Sequence, residues 1–150
     1  MVVLKQMSKD RFDSWREKLW ITYHQELIDA GYTEEAASQN VADTIAESMP
    51  DGVLAANNFV FDLIHEDLAV GVTWLVKDGS NWMIYDIEVD ESQRGKGLGR
   101  LAMKAIEQHV RNNSGESISL SVFGFNTVAR KLYESEGYET VRVSMKKLLD

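Results

Sequence analysis

The chain has 150 residues, 44% of them hydrophobic, and a formal net charge of −8. That length fits one domain over residues 1–150 with a sizeable core, and no apolar run is long enough to span a bilayer. The absence of cysteine excludes disulfides and thiolate chemistry and makes a reducing cytoplasm the expected location. Three scattered histidines (His24, His65, His109) offer no zinc-ligand spacing, so no metal is expected.

The N-terminal residues lack the apolar core and cleavage site of a secretory signal. Val2–Gln6 reads as a short strand. Ser8 or Asp10 can cap a helix running to about Asp29, because Phe12, Trp15, Leu19, Tyr23 and Leu27 recur at spacings of three and four. Gly31 stops it. Thr33 is placed to cap a second helix, with Glu34 and Glu35 in its first turn and Ala37, Val41, Ile45 and Met49 on its buried face. Pro50-Asp51-Gly52 turns the chain.

Three strands then form an antiparallel meander: Phe59–Ile64, Leu68–Val76 and Trp82–Val89. Turns at His65–Asp67 and Lys77–Asn81 join them. A glycine loop leads into a helix ending near Asn112. Ile118–Phe123 reads as another strand, and Asn126 caps a helix over Thr127–Glu136 that Gly137 ends. Val141–Leu149 reads as a last strand. The predicted order is β-α-α-β-β-β-α-β-α-β, a mixed α/β sheet with helices on both faces.

Charge is uneven along this order. Residues 1–90 carry 6 Lys/Arg against 17 Asp/Glu, whereas residues 91–150 carry 10 against 7. No Lys or Arg occurs between Leu19 and Val76. The acidic half suits a cationic partner and the basic half an anionic one, although solvated helix faces would give the same acidic pattern. The basic residues are too few and too local for a nucleic-acid stripe.

The anionic partner has an address. Residues 93–100 read "QRGKGLGR" at the junction of a strand and a helix. A helix N-terminus leaves amides unpaired and carries partial positive charge. Glycines let that backbone approach a phosphate closely. The spacing is neither that of a P-loop nor that of a dinucleotide-binding fingerprint.

Read from Arg94, the loop is R-x-x-G-x-G. Some thirty residues later comes "FNTVARKLYESEGYETV". The two blocks, in this order and separation, resemble the GNAT superfamily of acyl-CoA-dependent N-acyltransferases. "YDIEVDESQRGKGLGRLAMKAIEQHV" looks like that family's fourth strand, pyrophosphate loop and following helix. "SLSVFGFNTVARKLYESEGYETV" looks like its fifth strand and the helix after it. The implied fold is a GNAT-like, mostly antiparallel mixed sheet.

The resemblance implies an acetyl-CoA-dependent N-acetyltransferase, with acetyl-CoA as co-substrate and a small-molecule or peptide amine as acceptor. Backbone amides of Arg94, Gly95, Lys96, Gly97, Leu98, Gly99 and Arg100 would hold the pyrophosphate. Main-chain groups of Ile87 and Val89 would pair with the pantetheine arm. Asn126 would touch the coenzyme, a role compatible with capping its helix. Arg130 and Lys131 could reach the 3′-phosphate or be plain helix charges.

Tyr133 matches the family's tyrosine, which protonates the leaving thiolate; packing as a buried aromatic is the competing explanation. Glu88 and Asp86 lie two apart and share a strand face. Either can serve as the base that deprotonates the amine, Glu88 being ranked first as nearer the gap, or both can supply negative potential. A non-catalytic acyl-CoA sensor and an ester- or thiol-forming transferase are the alternative functions. Homodimers are frequent in the family.

Overall fold

The structure, a computed structural model, describes all 150 residues. In chain order it contains β1 (Val3–Gln6), α1 (Lys9–Asp29), α2 (Glu34–Ser48), β2 (Asn58–His65), β3 (Leu68–Asp78), β4 (Asn81–Val89), α3 (Leu98–Asn112), β5 (Ser117–Leu120) and α4 (Thr127–Ser135). Short 3₁₀ turns occupy Pro50–Gly52 and Glu91–Gln93.

The caps are the expected ones. Ser8 accepts from the Arg11 amide at 3.3 Å and Thr33 from the Ala36 amide at 3.1 Å. Each satisfies one of the donors that a helix start leaves open. The β2–β3 turn is tight, with both Glu66 (φ 50°) and Asp67 (φ 66°) left-handed, as a two-residue hairpin requires.

The five strands form one sheet in sequence order, β1-β2-β3-β4-β5. The first three pairings are antiparallel and β4–β5 is parallel. The parallel pair is the one joined through α3, since parallel strands need a long crossover.

Helices cover both faces. On one, Met7, Met49, Val60, Val72 and Trp74 are buried under Phe12, Trp15, Leu19 and Trp20 of α1. Trp15 and Trp20 both meet Trp74 edge-on at 6.1 Å. On the other, Leu75, Trp82 and Ile84 pack against Met103, Ile106 and Val110 of α3. Met103 and Ile106 are fully buried, a contribution of about 1.5–3 kcal/mol each. All four tryptophans are therefore engaged in packing within the chain.

Two irregularities shape the sheet. Between β3 and β4 the register steps from Trp74↔Asp86 to Leu75↔Ile84, leaving Tyr85 as an extra residue. This β-bulge reverses the alternation. Ile84 faces α3, while Asp86 and Glu88, opposite Trp74 and Val72, face α1. The bulge also coincides with the end of the β4–β5 pairing, which covers only Asn81–Ile84 against Ser117–Leu120. Beyond Ile84 the sheet is forked.

Two expected strands are corrected. The fifth ends at Leu120 rather than Phe123: β4 has turned away at the bulge, so residues 121–123 have no ladder to join. The expected strand Val141–Leu149 does not form. That segment lies on the surface, with Val141, Met145 and Leu149 more than four-fifths exposed. Its anchor is Lys146, whose ammonium donates to the Gly31 carbonyl at 2.9 Å and sits 5.4 Å over the Tyr32 ring. Without a backbone partner, alternation of apolar residues cannot by itself make a strand.

Candidate active site

The fork exposes one edge of β4. A Cβ at Gly71 would lie 2.1 Å from the Glu88 carbonyl oxygen, and the Asp90 amide donates to Val70 O at 2.8 Å. Glu88 and Asp90 thus direct their backbone toward β3. By the alternation of a strand, Ile87 and Val89 direct theirs into the fork. The guanidinium of Arg94 confirms this for Val89, donating to its carbonyl at 3.1 Å.

The loop after β4 presents a run of free donors. None of the amides from Gly95 through Arg100 donates to a protein acceptor; the next one, Leu101, bonds Gly97 O. Gly95 (φ 79°) and Gly97 (φ 73°) are left-handed, and Gly97 occupies the cap position of α3 without a side-chain cap. Consecutive amides at a helix start form a concave donor array suited to an anion with several oxygens.

The basic side chains divide. Lys96 bonds Gln93 at 3.0 Å on the surface. Arg100 ties α3 to α4, donating to Glu136 at 2.9 Å and Ser135 at 3.1 Å, so at the loop it offers its amide rather than its charge. A Cβ on Gly99 would come within 3.0 Å of Leu132, which sets α4 directly on the first turn of α3. Asn126 caps α4, accepting from Ala129 N at 3.3 Å. Arg130 pairs with Glu134 one turn on, at 3.1 Å, and Lys131 is exposed.

Tyr133 follows Leu132 and packs beside the α3-side core with Tyr138. Burial, then the charge of Asp86, pushes its hydroxyl pKa up. The phenol is therefore protonated at neutral pH, as a proton donor must be.

The two β4 carboxylates differ. Glu88 is more than half exposed, with Arg94 at 4.0 Å. Asp86 has a buried Oδ2 that accepts no hydrogen bond. Burial chiefly, with the charges of Glu88 and Glu26, pushes its pKa up to about 7; the Ile87 amide and the Trp15 indole oppose this. A carboxyl group at that pKa can take or give a proton near neutrality.

Glu26 was missed in the sequence. Its signal was available: Leu19, Tyr23 and Glu26 fall at i, i+4 and i+7, placing a carboxylate on the apolar stripe of α1. It is half-buried, and burial, then Glu88 and Asp29, push its pKa up.

Residues 12–138 match the profile of the acetyltransferase (GNAT) family. The chain belongs to the GNAT acetyltransferase family. Other comparisons agree. A crystal structure of YycN, an uncharacterized N-acetyltransferase of Bacillus subtilis, superposes with a TM-score of 0.90 over 100% of both chains, at 30% identity. The uncharacterized N-acetyltransferase YdgE of Bacillus subtilis is 26% identical over 97% of each chain. The fold is shared with AAC(6′)-Iy in complex with a bisubstrate analogue of coenzyme A, at a TM-score of 0.61 and 15% identity. This GNAT protein is thus an acetyl-CoA-dependent N-acetyltransferase with acetyl-CoA as co-substrate. No helix of the GNAT domain is long and apolar enough to cross a membrane.

Proposed function

We propose that the enzyme acetylates a cationic primary amine by direct attack within a ternary complex, with Asp86 as base and Tyr133 as acid. The observation that carries this reading is the buried, unpartnered Oδ2 of Asp86 on the α1 side of the fork. The six free amides from Gly95 to Arg100 hold the pyrophosphate. The fork-facing groups of Ile87 and Val89 bind the pantetheine arm as an added strand would, and Asn126 touches the coenzyme from the start of α4.

In this reading the acceptor arrives as an ammonium ion, drawn by Asp86, Glu88 and Glu26. Its proton passes to the Asp86 carboxylate. The freed lone pair attacks the thioester carbonyl, whose developing oxyanion meets a main-chain N–H near Val89. The carbon–sulfur bond breaks, the departing thiolate takes the Tyr133 proton, the second proton of the amine nitrogen restores the phenol, and Asp86 gives its proton to solvent. Holding amine and thioester together supplies much of the rate. Asp86 replaces Glu88 as first-ranked base. Glu88 is more than half exposed and faces Arg94 at 4.0 Å, so its place is to add to the negative potential that draws the ammonium.

The test is a panel of primary amines with acetyl-CoA, run on the wild type, Asp86→Asn and Glu88→Gln. Asp86→Asn loses turnover by a factor of about 10²–10⁴, with acetyl-CoA affinity retained. Loss confined to Glu88→Gln would reverse the assignment.

A further inference from the structure

Four carboxylates, Asp86, Glu88, Glu26 and Asp29, gather on the α1 side of the fork, and only Glu88 has a cation of the chain beside it, Arg94 at 4.0 Å. Asp86 feels Glu88 and Glu26, and Glu26 feels Glu88 and Asp29. None of the ion pairs in the structure includes Asp86, Glu26 or Asp29. Asp29 accepts one bond, from the neutral Gln25 at 2.8 Å. Like charges gathered in a partly desolvated place cost stability unless a counterion joins them.

The cluster has a direction. Glu26 and Asp29, three apart on one helix face, line a cleft of about 840 Å³ between α1 and α2. Trp20, Val41 and Ile45 form apolar parts of its wall. The one basic side chain in the cleft, His24, is engaged by Glu34 at 3.1 Å and Ser38 at 3.4 Å. Glu26 therefore stands at a junction, in the field of Asp86 on one side and on the cleft wall on the other. The end of α1 also attracts ammonium groups: the chain's own Lys146 is seated there on the Gly31 carbonyl and Tyr32 ring. Carbonyls at a helix C-terminus and an aromatic face both favour cations.

We infer that the acceptor carries two ammonium groups: the reacting amine is held at Asp86, while Glu26 and Asp29 hold the second in the α1–α2 cleft. The substrate class is a linear aliphatic diamine or polyamine, whose methylenes run along the apolar wall. Glu26 is then a specificity-determining residue. This inference rests on the proposed function and narrows its acceptor.

The experiment compares 1,4-diaminobutane, a longer linear triamine and 1-aminobutane as acceptors, at saturating acetyl-CoA. The expected result is a kcat/KM at least 10-fold higher for the di- and triamine. In Glu26→Gln and Glu26→Gln/Asp29→Asn that ratio falls toward one, through a rise in KM for the polycation. Melting curves check folding; Glu26→Gln removes a half-buried charge and should melt no lower than wild type. Turnover of 1-aminobutane equal to that of the diamine, or a ratio unmoved by the variants, overturns this inference and leaves the proposed function standing. Binding of acetyl-CoA without turnover of any amine overturns the proposed function and the diamine site with it.

Discussion

Trp74 pairs with Asp86 across β3 and β4, while its neighbour Leu75 pairs with Ile84. Tyr85, the residue in surplus, is half exposed and lies 4.9 Å from the Trp74 ring. One inserted residue thus bends β4, frees its edge and opens the fork, with the carboxyls under α1 opposite Trp74 and Val72. Deleting Tyr85 would make Ile84 and Asp86 consecutive, restoring regular alternation with Asp86 still opposite Trp74, and would remove the bulge at which the β4–β5 pairing ends. Such a variant should lose acetyl-CoA binding and activity while keeping most of its stability, because β4 would continue beside β5 and the fork would close. Melting temperature and turnover together check this.

The raised pKa of Asp86 makes opposite predictions for rate and stability. For rate, the base form predominates above about 7, so kcat should climb through neutrality and lose that inflection in Asp86→Asn. For stability, the unfolded chain releases this proton near the ordinary value of 3.8, whereas the native state keeps it to about 7. Native Asp86 binds more protons across that window, so stability falls as pH rises through it, by no more than about 4 kcal/mol. Asp86→Asn should therefore melt higher than wild type at pH 8, with the difference shrinking toward pH 4.

Tyr133→Phe removes the proposed acid and little of the packing. We expect turnover to fall by a factor of about 10² or more, with acetyl-CoA affinity within a few-fold of wild type. Calorimetry and steady-state kinetics on one preparation separate the two. Equal losses of affinity and turnover would instead mark Tyr133 as a binding residue.

Gly97 tests the donor array. It is left-handed with open space around its Cβ position, so Gly97→Ala introduces backbone strain of about 1–2 kcal/mol and no clash. Gly97→Asp adds a negative charge at the same point. Acetyl-CoA binding should weaken modestly in the first and at least 10-fold in the second, in titrations at fixed ionic strength.

Gly71 has a different reason to be glycine. Its φ is ordinary, but a Cβ there would strike the Glu88 carbonyl. Gly71→Ala must push β4 away from β3 beside the fork, at a cost of about 1–3 kcal/mol. A lower melting temperature with weakened acetyl-CoA binding is expected.

Much of this site was legible in the residue pattern because its parts are local. A strand, three glycines and an amphipathic helix announce the donor array from Gly95 to Arg100, and Ser8, Thr33 and Asn126 announce their caps. The fork was not legible. "NWMIYDIEV" alternates like a regular strand, and the surplus of Tyr85 exists only relative to β3. The fate of 141–149 depends in the same way on whether a ladder is within reach. Glu26 was obscured by its surroundings: among ten Asp/Glu and no Lys or Arg between Leu19 and Val76, it reads as one more solvated charge. Only the packing of α1 on β4 brings it beside Asp86 and Glu88.

Arg94 spans the entrance, one arm on the Val89 carbonyl at 3.1 Å and the other 4.0 Å from Glu88. A pantetheine arm that pairs with Val89 competes for that carbonyl, and a pyrophosphate at the loop offers the guanidinium a stronger partner. Once Arg94 moves, Glu88 loses its nearby positive charge and the acceptor side becomes more negative. On the proposed binding mode, coenzyme and ammonium reinforce one another's affinity, and by linkage the effect is mutual. In kinetic terms the expected outcome is synergy: each substrate's dissociation constant falls by the same factor when the other is bound.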